Sequence, residues 1–429
     1  MSLKKTYYQN PSIDDQKTRV EYVINQSGNL KNFRLLNFGV ATYTPTINPT
    51  IVSYPNACGA YALIDTISLY SDIDGQLLSQ VRNVGDVMAF KMLCDSQQTN
   101  TNIDSVLPMS SLNYQIEYTG GSTTIPIFVD DLTDNDFQRT AYIDLGKILP
   151  ILYGLDVETY NKLLKEKDKR KIKKMLRDNG MISGQLKLRI VIEYSQLPYS
   201  QLFKNGNDAD TVTLTSPTLA YDIYDDDGST KSLSIVYDDY VTELVNTGLQ
   251  IANASGQKRD NNYYLKGCIG RKVREITLMN KPTVCNGIFR NDSKNFCSTG
   301  LFNEQINFTI NNELQFQNNA INNTTCKAGY LDYSKQQFTC PILTQSNCHA
   351  SKISVTMDGM ISYLNFFTND ENVISSAELD HQYETYLTGA NVGTSDPALL
   401  GAFQYLLMYT SKRVLSFDKQ SKDLVVTNA

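Results

Sequence analysis

The chain has 429 residues, of which 41% are hydrophobic and 20% charged, and its net charge is −6. That is the balance of ordinary globular domains with proper cores, and at roughly 100–200 residues per domain the length suits two of them. An acidic chain does not coat nucleic acid with its whole surface, so any such contact has to be local.

Residues 1–18 read as an N-terminal arm; MSLKKTYYQNPSIDDQ has no apolar core of signal-peptide length, so Sec-type export is not expected. Arg19 to Ile24 and Asn32 to Val40 read as strands, and Tyr61 to Leu69 as another, ended by Asp74-Gly75. Leu77, Val81, Val84 and Met88 then recur at helical intervals and predict a helix. Short strands follow at Leu112 to Tyr118 and Thr124 to Phe128. Ile143 to Tyr153 is apolar and broken by Pro150, and Val157 to Arg177 reads as a charged helix. Leu186, Leu188, Ile190, Ile192 and Tyr194 alternate cleanly, the strongest strand signal in the chain.

The stretch 198–211, polar with Pro and Gly nearby, has linker composition and divides a first domain at 19–197 from a second at 212–429. Beyond it, strands are predicted at Val212 to Leu214, Leu233 to Tyr237, Arg271 to Met279 and Gln305 to Ile310. Asn311-Asn312 is a turn signal, with Glu313 to Phe316 set to pair back across it. Tyr240 to Asn253 looks helical. Ile353, Val355 and Met357 alternate before Asp358-Gly359, and Ala402 to Tyr409 followed by Lys412 to Phe417 are the last strands. No apolar run approaches the roughly 18 residues that cross a bilayer.

The chain carries 27 Tyr and 16 Phe but no Trp, and aromatic and β-branched residues suit half-buried strands. Turn signals every 8–12 residues or so favour sandwiches or barrels. The expected fold is mainly β: two consecutive eight-stranded jelly-roll β-sandwiches, a double jelly roll, with a few short helices.

Candidates for chemistry are weak. His349 and His381 are the only histidines, and neither has metal spacing; a triad can still form in space, since triads are not local in sequence, but both read as polar loop residues. Gly267-Cys-Ile-Gly270 is a loose glycine pair that more readily allows a turn than cradles phosphate. Asp222 with Asp225, Asp226 and Asp227 is out of register for a calcium loop; it and the cluster Asp130, Asp131, Asp134 and Asp136 read as solvated acidic turns. Eight cysteines include no Cys-x-x-Cys pair; they read first as free thiols, with late disulfides or a metal as alternatives. The triplets at Asn253, Asn307 and Asn323 match a glycosylation signal but read as accidental without a secretory route. No catalytic residue, cofactor or metal site is assigned.

The sharpest charge feature runs from Asn161 to Gly180, with nine Lys or Arg against three acids. Leu164, Ile172, Met175 and Leu176 can share an inner face of one helix. Lys165, Lys167, Lys169, Arg170, Lys171, Lys173 and Lys174 then face outward, either as a solvated surface or as a patch facing an acidic partner, a nucleic acid or an anionic membrane.

The segment YALIDTISLYSDIDGQLLSQVRNVGDVMAFKML, Tyr61 to Leu93, resembles the early strand, turn and helix of the double-jelly-roll major capsid proteins of the Polinton-like virus and virophage group, with Val81-Arg82-Asn83 in the position of their Val/Leu-Arg-Asn-like stretch. Leu145 to Tyr194 is similar to the close of their first jelly roll. Gly270-Arg271, EQINFTINNELQF and LLGAFQYLLMYTSKRVL are compatible with the second. The resemblance implies a structural subunit with no catalytic residue, cofactor or small-molecule substrate. It implies homotrimers with six jelly rolls in a pseudo-hexagonal ring, tiling an icosahedral shell around DNA. The implied partners are copies of the chain, minor capsid and penton proteins, and packaged DNA or an internal membrane. The implied location is the virion, after synthesis in the host cytoplasm. On the same implied assembly, the arm with Lys4, Lys5, Tyr7 and Tyr8 reaches a neighbouring capsomer. The alternative is a β-sandwich carbohydrate-binding or adhesion protein, for which Tyr offers stacking platforms and the absence of Trp counts against; a β-sheet glycosidase is weaker, since no two carboxylates pair by sequence.

Overall fold

A computed structural model describes residues 3–15, 17–46, 59–88, 142–203, 206–224, 233–249, 257–282, 301–314, 363–367, 372–385, 403–418 and 420–429, with short pieces at 52, 54, 117–119, 122–124 and 321–322. Alternation of apolar and polar residues organises most of it, because a strand with one face in a core repeats every second residue. Leu188, Ile190, Ile192 and Tyr194 are buried in one strand, as their spacing predicts, while Leu186 is buried from a 3-10 turn just before it. Every ladder among the described residues is antiparallel.

Strands are numbered in chain order. One sheet has the order β1 (Leu3–Gln9), β15 (Thr218–Tyr224), β4 (Asn29–Leu36), β10 (Tyr142–Asp144), and β12 (Ile182–Ser183) also pairs with β4. A second sheet has β2 (Ile13–Asp15), β3 (Arg19–Ile24), β13 (Leu188–Tyr194), β6 (Ile64–Ser71), β7 (Leu77–Arg82). Beside them β5 (Val40–Thr44) pairs with β14 (Thr211–Leu214). Tyr22, Ile24, Ile67 and Ile190 of the second sheet and Leu30, Phe33, Leu35 and Tyr221 of the first are buried in one shared core. This is the first jelly roll.

The second roll is built the same way. Its larger sheet runs β11 (Leu155–Asp156), β16 (Leu233–Leu249), β24 (Phe403–Phe417), β18 (Val273–Pro282), β22 (Tyr363–Phe367), with β25 (Leu424–Asn428) on β24. The other sheet runs β17 (Gln257–Tyr264), β23 (Ala377–Thr385), β19 (Leu301–Ile310), β20 (Glu313–Leu314), with β21 (Ile321–Asn322) on β19. A separate hairpin joins β8 (Glu117–Thr119) and β9 (Ser122–Thr124). The chain is therefore mainly β, with the expected double jelly roll.

Local signals held where turn chemistry was explicit. Asn311 and Asn312 both have positive φ, 51° and 65°, and Ile310 faces Glu313 across them. That is the two-residue hairpin geometry whose backbone asparagine tolerates. Asn37 (φ 57°) and Gly39 (φ 146°) divide the predicted strand 32–40 into β4 and the start of β5. The two final predicted strands fuse into the single long β24.

Three expectations need correction. Residues 77–88 are not one helix: Leu77 to Arg82 is β7, paired with β6, then Asn83 turns at φ 53° and helix α1 begins at residue 84. Tyr240 to Asn253 is not helical over the described residues, because β16 continues to Leu249 against β24. A ladder that long overrides local propensity. The charged helix is also two helices, α3 (Val157–Lys165) and α4 (Lys169–Asn179), whose labels follow α2 (Leu145–Ile148).

Residues 3–9 lie along their own chain as β1, with the Tyr7 ring 5.5 Å from Tyr221 and Thr6 donating to Asp222 at 2.8 Å. The stretch after β13 forms the short helix α5 (Tyr199–Leu202), and β14 and β15 then return to pair with β5, β1 and β4. Ile353, Val355, Met357, Asp358-Gly359, His349, Asp225 to Asp227, Asp130, Asp131, Asp134, Asp136 and every cysteine but Cys268 lie outside the described residues.

Candidate functional site

The basic segment forms a helical hairpin. Asp156 caps α3 by accepting from Thr159 N at 2.8 Å, and Asp168 caps α4 by accepting from Arg170 N at 2.8 Å. Glu166 sits between them in extended conformation and accepts from the N–H groups of Lys167 and Asp168, both at 3.0 Å. Local carboxylate–backbone bonds compete with helix propagation, which explains the break. Lys165 ends α3, Lys167 lies in the break, and Lys169, Arg170, Lys171, Lys173 and Lys174 fall on α4. Lys165, Lys167, Arg170, Lys171 and Lys174 are exposed, and Lys171 lies 3.8 Å from Glu166.

The predicted common inner face is lost with the break in phase. Ile172 and Met175 are half-buried, but Leu164 is 63% exposed and Leu176 45%. The hairpin is nevertheless fixed in place. Leu155 and Asp156 of β11 pair with Val236 and Ile235 of β16. Lys412 of β24 sits 5.3 Å from the Tyr160 ring and 2.7 Å from Asp238. A segment that precedes the 198–211 stretch in sequence thus rests on the second roll.

Beyond Val236, the free side of β16 has no ladder partner among the described residues, and β7 of the first roll comes up to it. Side chains rather than a ladder join the two. Tyr237 Oη donates to the Leu78 carbonyl at 3.4 Å, and Thr242 Oγ1 donates to the Arg82 carbonyl at 3.1 Å. Ser79 Oγ donates to buried Asp239 at 2.9 Å. Asp239 also takes Arg271 Nη1 at 2.7 Å and faces Arg413 Nη1 at 3.8 Å. A carboxylate this deep is tolerable only when paired, and its partners come from both rolls.

The features with the look of chemistry turn out to be internal fastenings. The N–H groups of Lys266 and Gly267 donate to the Glu243 carboxylate at 2.9 and 2.8 Å, and Tyr409 Oη donates to it at 2.9 Å. The donors a phosphate loop would offer are consumed by the protein itself. A Cβ at Gly267 would lie 2.8 Å from Tyr409 Cε2, so the approach needs glycine. Cys268 is buried, and burial with nearby Glu243 pushes its thiol up to about 12, which leaves it protonated and inert. Asp222 accepts from Thr6, from Asn32 Nδ2 at 2.7 Å and from Arg34 at 3.4 Å. Among the described residues no three His, Cys, Asp or Glu side chains gather into a metal-binding group, and no helix is long and apolar enough to cross a membrane.

Asp210, at the end of the 198–211 stretch, was not a sequence candidate. It is buried and accepts from Tyr43 Oη (2.6 Å), Thr46 N (2.7 Å), Thr46 Oγ1 (2.6 Å) and Asn207 N (2.8 Å). Burial alone would raise its pKa, but the bonds from Thr46 and Tyr43 outweigh burial and hold it at about 2.

No family model matches the sequence, and no curated protein matches it. Solved structures are similar in fold. The structure of the Sputnik virophage by cryo-EM superposes with TM-score 0.53 at 10% identity, covering 100% of this chain and 89% of that one. The quasi-atomic model of the PBCV-1 virus capsid gives TM-score 0.50 at 10% identity, covering 100% and 98%. PBCV-1 VP54, a crystal structure fitted into a reconstruction of Sputnik, gives TM-score 0.50 at 10% identity over the same shares. At such identity the likeness is one of fold, and it runs the whole length of this chain: this protein has the double jelly-roll fold seen in the capsid structures of PBCV-1 and the Sputnik virophage.

Proposed function

We propose that the protein is a major capsid protein, a structural subunit of an icosahedral DNA-virus shell. The observation that carries the reading is the pair of jelly rolls in one chain, matched end to end by capsid structures. Two rolls per chain let three chains close a six-sided tile by cyclic symmetry, the pseudo-hexameric homotrimer. In this reading the partners are copies of the chain and the minor capsid and penton proteins, and the protein resides in the virion without catalytic duty. The division between rolls falls after β15, since β14 and β15 pair into the first.

The carbohydrate-binding alternative loses its main support. Tyr22, Tyr61, Tyr221, Tyr405 and Tyr409 are fully buried, so a good part of the Tyr content is core rather than sugar platform. The hairpin residues Lys165, Lys167, Lys169, Arg170, Lys171, Lys173 and Lys174 form the partner-facing basic patch, toward packaged DNA or an internal membrane.

Size-exclusion chromatography with mass measurement tests the reading: a species of three times 48.2 kDa is expected, resolved as hexagonal particles by electron microscopy. A strict monomer at all concentrations overturns it.

A further inference from the structure

The junction between the rolls encloses a cleft of about 310 Å³, lined by Ser79 and Arg82 of β7, Asp239 and Thr242 of β16, and Arg271 and Arg413 from the second roll, among others. Three arginines line it against a single carboxylate, and two of them, Arg271 and Arg413, face that carboxylate. Asp239 engages Arg271 closely and Arg413 at longer range, so the cleft keeps a surplus of positive charge. Arg82 is exposed, and among the described residues its Nε donates to a neutral partner, Gln80 Oε1, at 3.0 Å. Arg413 Nε is buried with no hydrogen-bond partner among the described residues. A buried, charged donor without an acceptor is costly unless something supplies one.

We infer that this cleft is a binding site for a small oxyanion of the phosphate class, held between the two rolls by Arg82, Arg271 and Arg413. The chemistry fits in three ways. Guanidinium groups present forked donors that match tetrahedral oxyanions. The cleft has the volume of a small-ligand site and is too small for a folded partner. Its walls belong to both rolls, so an anion there would tie β7 to β24 and to the turn before β18 and stabilise the whole chain by linkage. The site does not depend on the trimer or on the capsid reading, because all of its residues belong to one chain.

The experiment is thermal unfolding and titration calorimetry of the full chain with inorganic phosphate, with ionic strength held constant by sodium chloride. A phosphate-specific rise in Tm and a one-to-one binding isotherm are expected. A nucleoside monophosphate in a parallel titration separates free phosphate from a phosphomonoester. Binding of phosphate alone assigns the site to the free ion; equal or tighter binding of the nucleotide assigns it to the ester. Arg413→Gln should abolish the effect, but that residue also faces Asp239 and the variant can fail to fold. Arg82→Gln lies outside that cluster; it should fold normally and bind phosphate roughly tenfold more weakly. Identical melting curves in phosphate and chloride, or an undiminished phosphate effect in Arg82→Gln, overturn the inference.

Discussion

Two buried aspartates fasten this molecule in different ways. Asp210 is met by neutral donors, a phenol, a hydroxyl and two backbone N–H groups, all from the first roll and the stretch that closes it. Asp239 is met by guanidinium groups of the second roll and by Ser79 of the first. The first arrangement satisfies a charge with dipoles fixed by local backbone, so it specifies one loop conformation. The second satisfies a charge with counter-charges that are themselves half-buried, so it specifies how two domains sit together. Removing the carboxylate therefore has different consequences at the two places: at Asp210 it frees neutral donors, and at Asp239 it strands cations.

The largest effect should come from Asp239→Ala. Arg271 and Arg413 lose their counter-charge and Ser79 loses its acceptor, a change worth about 3 kcal/mol or more of stability. Urea unfolding should show it, and hydrogen exchange should show β7 and β16 losing protection together. Replacing Asp239, Arg271 and Arg413 jointly by Leu, Met and Met should recover much of the loss, since apolar side chains of similar volume avoid the desolvation cost and leave no stranded cation. A triple variant no better than the single one would mean that the charge itself is needed.

Asp210→Ala should cost less, about 2 kcal/mol, because its orphaned donors are uncharged and Thr46 lies nearer to solvent. Exchange should quicken in β5 and β14 and not in β16 or β24. If both rolls loosen equally, the two aspartates are not independent fastenings.

A smaller effect follows from pH. The folded pKa of Asp210, about 2, lies below the unfolded carboxylate value of about 4. Its contribution is therefore complete above pH 4 or so and is lost as pH falls from there through about 2. In Asp210→Asn that part of the acid limb should vanish, leaving a flatter stability curve between these pH values than in the parent chain. An unchanged limb would show that other carboxylates set it.

How much of this could be read from sequence depends on how far apart the cooperating residues lie. β3 and β13 were legible because burial of one face writes a two-residue period directly into the chain. The Asn311-Asn312 turn was legible because it needs residues that accept positive φ. Leu77, Val81, Val84 and Met88 misled, since a strand, a left-handed Asn83 and a helix start happened to place apolar residues at helical spacing. Tyr240 to Leu249 misled because the strand that decides it, β24, is more than 150 residues away. The fastenings were invisible for the same reason: Tyr43 meets Asp210 across 167 positions and Ser79 meets Asp239 across 160. The basic charge of the hairpin was legible, its break at Glu166 to Asp168 was not, although two carboxylates able to cap a helix stood in plain view there.

The hairpin offers the opposite case to both aspartates: Lys165, Lys167, Arg170, Lys171 and Lys174 carry their charge exposed. Reversing Lys171 and Lys174 to Glu should change stability little, because both are exposed and such substitutions away from caps and cores usually stay within about 0.5 kcal/mol. In the capsid role proposed above, trimer formation should also survive, since β11 and the Lys412–Asp238 pair, not these lysines, seat the hairpin on the second roll. What should change is anything that reads the charge. If the patch faces the lumen, assembled particles of the reversed variant should carry less DNA, and binding of the free trimer to DNA should lose its dependence on salt. If it faces an anionic membrane, vesicles containing phosphatidylserine should bind the parent trimer and not the variant, with Leu164 and Leu176 adding apolar contact. Unaltered packaging and unaltered vesicle binding together would reduce the hairpin to a solvated surface whose work is only to cover β16.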